Sequence, residues 1–429
     1  MWEDVLLCQF HDVLPGSSID MVYEDSAVMY ADAMAKGQKI YDAALKTLGF
    51  GGEKKSVLNT LTLGQKSSES MISQVASDGL GVTKVTDLQY TPATVEEKED
   101  GAYILRNENL QVIIKGGAIV SLIDRSFDKE LVPEGAQSNR LVLFDDQPLY
   151  WDAWDVEVHH LETFDYLEPG QVTILDKGPL RASLKVEQKI SPDSWVTSTI
   201  SLDAILQGPS YTGGFNDAVE DRKFLKVEFP WNLHNSTADY KTQFGIVRRP
   251  THFNMTWDSA KFKVICHKFA NLNKFRYSVA ILNDSKYRFA THSNTQRLSL
   301  LRSSKAPDAH ADMGRQVFKY AILPHRGTLN QSAVVRAGFN FNSLLHLIDG
   351  FVELPKFSVA GAPNVVLETI KKSEDRSDSV LRTYEAYGGA AVANLQTGSR
   401  IIQASKVNLL EEHSKALEVK ISKLEVQSR

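Results

Sequence analysis

The stretch Phe224-Leu225-Lys226-Val227-Glu228-Phe229 sets Leu225, Val227 and Phe229 on one side and Lys226 and Glu228 on the other. A period of two is the mark of a half-buried β-strand. Leu184-Lys185-Val186-Glu187 repeats the pattern. Working outward, short β-type runs recur at 56–61, 102–106, 110–114, 141–144, 182–190, 262–266 and 317–323, separated by Gly, Asn, Asp and Pro. Many short strands with frequent turn residues predict β-sandwich architecture.

Only the first fifty residues read differently. Ile19, Val22, Met29, Ala33, Ile40, Ala44 and Leu48 recur at helical spacing on one face. Ser17 followed by Asp20 resembles a capping box, and Gly49, Gly51 and Gly52 end the helix. A shorter helix precedes it, broken at Leu14-Pro15-Gly16. Two helices alone cannot bury their apolar faces, so this hairpin needs a partner. Residues 67–98 are the least patterned, and a boundary is expected near 354–364, where Pro355, Gly361 and Pro363 cluster. The expected division is a helical hairpin at 1–50, a small β region at 54–100, a large β region at 101–350 and a C-terminal β-sandwich region at 351–429.

Bulk properties exclude several classes. The 429 residues carry 48 Lys+Arg against 53 Asp+Glu, a net charge of −5, which gives no pull toward nucleic acid or an anionic membrane. No apolar run is long enough to span a bilayer. Cys8 and Cys266 cannot form a disulfide framework, and the acidic start Met1-Trp2-Glu3-Asp4-Val5 is not a signal peptide. A cytoplasmic location is the expectation. Sequons at Asn235, Asn254, Asn283 and Asn330 carry little weight without a secretory signal.

His11-Asp12, at the break between the helices, offers an imidazole beside a carboxylate. A metal centre needs three or four ligands, and a hydrogen-bonded histidine at a helix end is the simpler reading of the pair taken alone. The whole stretch Trp2-Glu3-Asp4-Val5-Leu6-Leu7-Cys8-Gln9-Phe10-His11-Asp12-Val13-Leu14-Pro15-Gly16 resembles the helix-bundle segment of glycoside hydrolase family 38 α-mannosidases, cytosolic branch. The resemblance continues through Pro148-Leu149-Tyr150-Trp151-Asp152-Ala153-Trp154-Asp155-Val156. It extends to Arg249-Pro250-Thr251-His252-Phe253-Asn254-Met255-Thr256-Trp257-Asp258, and to Asp312-Met313-Gly314-Arg315 and Leu323-Pro324-His325. It implies that the hairpin is the remnant of a three-helix bundle, followed by a galactose-mutarotase-like β-supersandwich and a smaller β-sandwich. It also implies that His11 is one of four zinc ligands and that Asp12 lies beside the bound sugar. The family acts on mannose-containing oligosaccharides as a retaining glycosidase with two carboxylates.

Read from their chemistry alone, Trp151 and Trp154 are core aromatics or sugar-stacking platforms. Arg249, His252, Asn254, Trp257 and Asp258 make a polar loop suited to binding a sugar. His159-His160 and Cys266-His267 are surface or core pairs, since neighbours on a strand face opposite ways. His310-Ala311-Asp312 mimics a zinc motif but falls within the β region and is read as coincidence. No catalytic residue is assigned, because the family's nucleophile and remaining zinc ligands belong to an N-terminal catalytic domain upstream of the segment matching His11. Two further departures are a Gly/Ser/Pro-rich stretch at 205–216, where a strand is expected to be missing or replaced, and no clear match to a closing strand near Arg429. The expected function is the C-terminal part of an α-mannosidase, inactive as this fragment; the alternative is a non-catalytic carbohydrate-binding β-sandwich protein.

Overall fold

Lys223–Pro230 is a strand at the centre of a six-stranded antiparallel sheet. Its neighbours are Arg140–Asp145, with Leu225 opposite Leu143, and Thr295–Arg302, with Val227 opposite Leu298. Leu225, Val227 and Phe229 enter the core as their alternation requires. The other face departs from the half-buried expectation: Lys226 and Glu228 are only 3% and 6% exposed. The 3-10 turn Val158–Glu162 and residues 253–263 lie over that face, so side chains of polar type are enclosed. The computed structural model describes the chain except positions 54, 62, 64, 68–74, 78–79, 85–89, 206–207, 209, 219, 355–356, 421–422 and 429. Parts of the weakly patterned 67–98 stretch, and Pro355 in the expected boundary, lie outside the described residues.

A nine-stranded antiparallel sheet runs from Gln171–Lys177 at one edge to Gly245–Pro250 at the other. The main core joins it to the six-stranded sheet and to a five-stranded sheet over 94–130, around Phe229, Trp231, Tyr211, Leu105 and Ile114. The strand expected to be missing near 205–216 is present. Ser210–Ala218 pairs with both Trp195–Asp203 and Gly314–Arg326. Its glycines disguise it, and at least one is required: a Cβ on Gly213 would come 2.3 Å from the Phe318 ring.

Lys55–Asn59 pairs with Gly81–Lys84 and with His346–Asp349, while Thr94–Glu97 pairs with Ala102–Arg106 and belongs to the five-stranded sheet. A second core lies between the nine-stranded sheet and the amphipathic helix Val334–Asn342, through Phe269, Leu282, Val335 and Phe339. The closing strand also exists: Lys423–Ser428 pairs with Ala391–Thr397 in a four-stranded sheet.

The N-terminal helices are α1 (Trp2–Leu7) and α2 (Asp20–Thr47). They meet where Cys8 Sγ lies 3.8 Å from Met29 Sδ. The expected capping box does not form. Ile19 occupies the N-cap without a side-chain bond, and Ser17 Oγ turns back to Asp12. Ala33 is the one residue of α2 that is buried. Of the apolar face read from the sequence, Ala33 is buried and Val22 and Met29 are partly buried, whereas Ile40 is 62% and Leu48 45% exposed.

Candidate functional site

The turn between α1 and α2 carries His11 and Asp12. Gly16 ends it with a backbone at φ +82°, a conformation that favours glycine. Asp12 holds the turn together: its carbonyl accepts the Ser17 amide at 3.0 Å and its Oδ1 accepts Ser17 Oγ at 3.3 Å. The Tyr23 hydroxyl accepts the Ser18 amide at 2.6 Å, and partial burial pushes its pKa up. His11 is left exposed, its Nε2 3.5 Å from Asp12 Oδ2. Its ring packs on Phe10 at 4.3 Å and meets Trp154 edge-on at 6.0 Å between centroids. The contact joins the helical hairpin to the 148–156 stretch of the β region.

That stretch is held by Arg302, at the end of Thr295–Arg302. The guanidinium donates to the carbonyls of Asp152 (2.7 Å), Ala153 (3.0 Å) and Asp155, and pairs with the buried carboxylate of Asp146. Asp152 adds a bond from the Lys305 amide at 2.6 Å and lies 3.3 Å from Arg222. Trp151 takes a left-handed backbone at φ +55° within this clamp. With the backbone fixed, Tyr150, Trp151 and Trp154 project outward, 73%, 74% and 53% exposed. They are surface aromatics, not core.

His310 does not pair with Asp312 as the zinc-like triplet would require. Its neighbours are Asp308 and Asp20, whose ligand-type atoms all lie within 4.8 Å of one another, linking the start of α2 to the β region. Asp308 Oδ1 already accepts the His310 amide. Asp312 Oδ2 accepts the Arg302 amide at 3.3 Å, and burial raises its pKa. Zinc takes three or four N, O or S ligands. Among the described residues His11 is in no such group, so this chain's side chains alone do not build a zinc centre around it.

Arg249, His252, Asn254, Trp257 and Asp258 lie elsewhere. The amide of Ser293 donates to the Thr251 carbonyl, and Phe253 stacks on His292 at 4.3 Å. This is the Thr295 end of Thr295–Arg302, whereas Arg302 marks the other. An eight-residue strand spans about 23 Å. The structure therefore brings together His11, Asp12 and Trp154 but sets the 249–258 loop apart. Within that loop His252 Nδ1 is 3.5 Å from Asp258 Oδ2, close enough for charge attraction but without a hydrogen bond. Arg249 Nε and His252 Nδ1 are shielded from solvent without a hydrogen-bond partner, and Trp257 is 69% exposed. His160 and Cys266 are buried, and both cysteines are free thiols.

Sequence reasoning missed Arg302, Tyr23 and Asp308. Arg302 has no local motif, since its acceptors lie some 150 residues away in the chain. Only an unpaired arginine at the end of a strand would have marked it.

Three family models match the chain. The alpha mannosidase middle domain covers 1–48, the glycosyl hydrolases family 38 C-terminal domain 105–310, and the family 38 C-terminal beta sandwich domain 364–428. Alpha-mannosidase of Saccharomyces cerevisiae is 37% identical over 96% of this chain, and Alpha-mannosidase 2C1 of Homo sapiens 37% over 96%. The chain spans 40% and 42% of the length of those two relatives. The crystal structure of an alpha-mannosidase from Enterococcus faecalis superposes with a TM-score of 0.80 at 13% identity, covering all of this chain and 63% of that one, which shows a shared fold. The fold is thus that of a glycosidase's helical and β-sandwich domains. The chain belongs to the family 38 α-mannosidases, of the cytosolic type, and corresponds to their C-terminal portion.

Proposed function

We propose that this chain is the C-terminal part of a zinc-dependent, retaining α-mannosidase that removes terminal α-mannose from oligosaccharides in the cytoplasm. It does so only together with an N-terminal catalytic domain. The observation that carries the reading is His11: exposed, pinned beside Asp12, and set against Trp154 where hairpin and β region meet. In this reading His11 supplies one zinc ligand and the catalytic domain the rest. Zinc would grip sugar hydroxyls, and Asp12 would lie beside the sugar. Tyr150, Trp151 and Trp154 offer faces on which a pyranose ring can stack. The apolar side chains left open on α1 and α2, among them Trp2, Leu6, Met34 and Ile40, are the surface for the missing neighbour. Among the described residues no helix is long and apolar enough to cross a membrane.

The test is hydrolysis of an aryl α-mannoside by the purified chain with zinc or cobalt, and again after adding the catalytic domain of the yeast relative. No turnover alone and metal-dependent turnover on mixing is the expected result. Turnover by the chain alone would place the catalytic carboxylates within it and overturn the reading. A second reading, non-catalytic carbohydrate binding, is favoured by the exposed aromatics and by the orphaned Arg249 and His252 atoms in the 249–258 loop. Saturable binding of mannosides to the chain, lost in Trp257→Ala but kept in Trp154→Ala, would support it.

A further inference from the structure

The fold encloses the Asp308 carboxylate without a counter-ion. Asp308 is only 8% exposed, and its Oδ1 accepts the His310 amide at 2.8 Å. Among the described residues no lysine, arginine or histidine is in ion-pair contact with it. Lys305, in the same loop, gives its ammonium to the Ala309 carbonyl instead. The surroundings are negative as well: burial, reinforced by the charges of Asp308 and Asp312, holds the Tyr23 phenol above its ordinary range. A carboxylate kept charged out of water is paired with a cation or coordinates a metal.

Two further ligand groups converge on Asp308. His310 comes from the turn that follows it, and Asp20 from the first residue of α2, with one donor atom of each residue within 4.8 Å of the other two. Asp20 Oδ1 accepts the Met21 amide at 2.8 Å, so each carboxylate is anchored through one oxygen and keeps the other. Donor atoms around a tetrahedral zinc ion stand roughly 3.4 Å apart, so closure needs movements of about 1 Å. Asp20 and His310 are exposed and can make them, while the buried Asp308 stays fixed. One imidazole with two carboxylates is a donor set for zinc and its first-row neighbours, whereas calcium and magnesium take oxygen alone.

We propose that Asp20, Asp308 and His310 bind a divalent transition-metal ion that cross-links the start of α2 to the β region, with water completing its coordination. All three protein ligands belong to this chain, which separates the site from the zinc centre that His11 is proposed to share with a catalytic domain. Asp20 stands three residues beyond Ser17, whose hydroxyl bonds Asp12. The ion therefore steadies the turn that carries His11 and Asp12.

Calorimetric titration of the metal-stripped full chain with zinc tests the site, with calcium and magnesium titrated in parallel. The expected result is one zinc per chain. Binding should weaken about tenfold or more in His310→Ala and in Asp20→Asn, both at exposed positions, with circular dichroism confirming their fold. His11→Ala should bind zinc as the wild type does. No saturable binding of zinc up to about 100 µM overturns the proposal, as does zinc binding that survives His310→Ala or is lost in His11→Ala. Unaltered affinity in folded Asp20→Asn overturns the cross-link, and tighter binding of calcium or magnesium than of zinc overturns the choice of ion.

Discussion

The ring of His11 meets the edge of Trp154 at 6.0 Å, so a helical turn near the N-terminus touches a loop more than 140 residues later in the chain. Trp154 is half exposed and bears little of the core. Trp154→Ala should therefore shift the stability of the β region by less than about 0.5 kcal/mol. In the mixture with the catalytic domain it should raise KM for an aryl mannoside. A loss of stability well above that figure would mean that the tryptophan is structural.

Arg302 is the opposite case. Arg302→Met leaves Asp146 buried without its cation and three carbonyls without a donor. Breaking such a pair costs about 3–5 kcal/mol. Urea unfolding measures it, and Arg302→Lys should recover only part, because an ammonium cannot reproduce the planar fork.

His160 gives a pH signature. Its Nδ1 donates to the Glu157 carbonyl at 2.6 Å, which leaves Nε2 to accept from Lys226. Burial, and then the Lys226 charge, depress its pKa from 6.5 to about 3. Between those values the unfolded chain binds the proton and the folded one does not, so stability falls as pH drops from about 6.5 toward 3. Every tenfold loss of proton affinity on folding is worth about 1.4 kcal/mol. His160→Phe should flatten this part of the curve of denaturation midpoint against pH. An unchanged slope would show that His160 titrates normally.

The hairpin should open before the sheets. α2 buries one residue among 28 and leaves Val28, Met34 and Ile40 in solvent. Amide exchange across 22–48 should be much faster than across Lys223–Pro230, and should slow when the catalytic domain is added. Equal protection of helix and sheet in the isolated chain would contradict this.

Phe229 is fully buried and stacked 6.0 Å from Trp231, whose indole N–H donates to Gln296 at 2.9 Å. Phe229→Ala should cost about 3–5 kcal/mol in urea unfolding. A cost below about 1 kcal/mol would mean that the surrounding core collapses into the space.

Sequence periodicity reveals an element only where environment follows period. Leu225, Val227 and Phe229 were legible as core because their alternation matches the pleat. The burial of Lys226 and Glu228 was not, since it depends on the 158–162 and 253–263 segments folding over them. Ser210–Ala218 escaped because Gly213 and Gly214 are chosen for a close neighbour and not for strand propensity. Ser17 looked like a helix cap, but its hydroxyl found Asp12 first. At the candidate site, His11 and Asp12 were recognisable as a local motif. Asp20, Asp308 and His310 converge from distant parts of the chain, and no local pattern foretells that.

The Arg302 clamp has an evolutionary consequence. It grips the 152–155 segment through main-chain carbonyls, so, Asp152 apart, the loop is not held by the side chains that project from it. Tyr150, Trp151 and Trp154 can be exchanged one at a time without unfolding their support. Descendants of this fold can therefore vary the surface at that edge while inheriting the same scaffold.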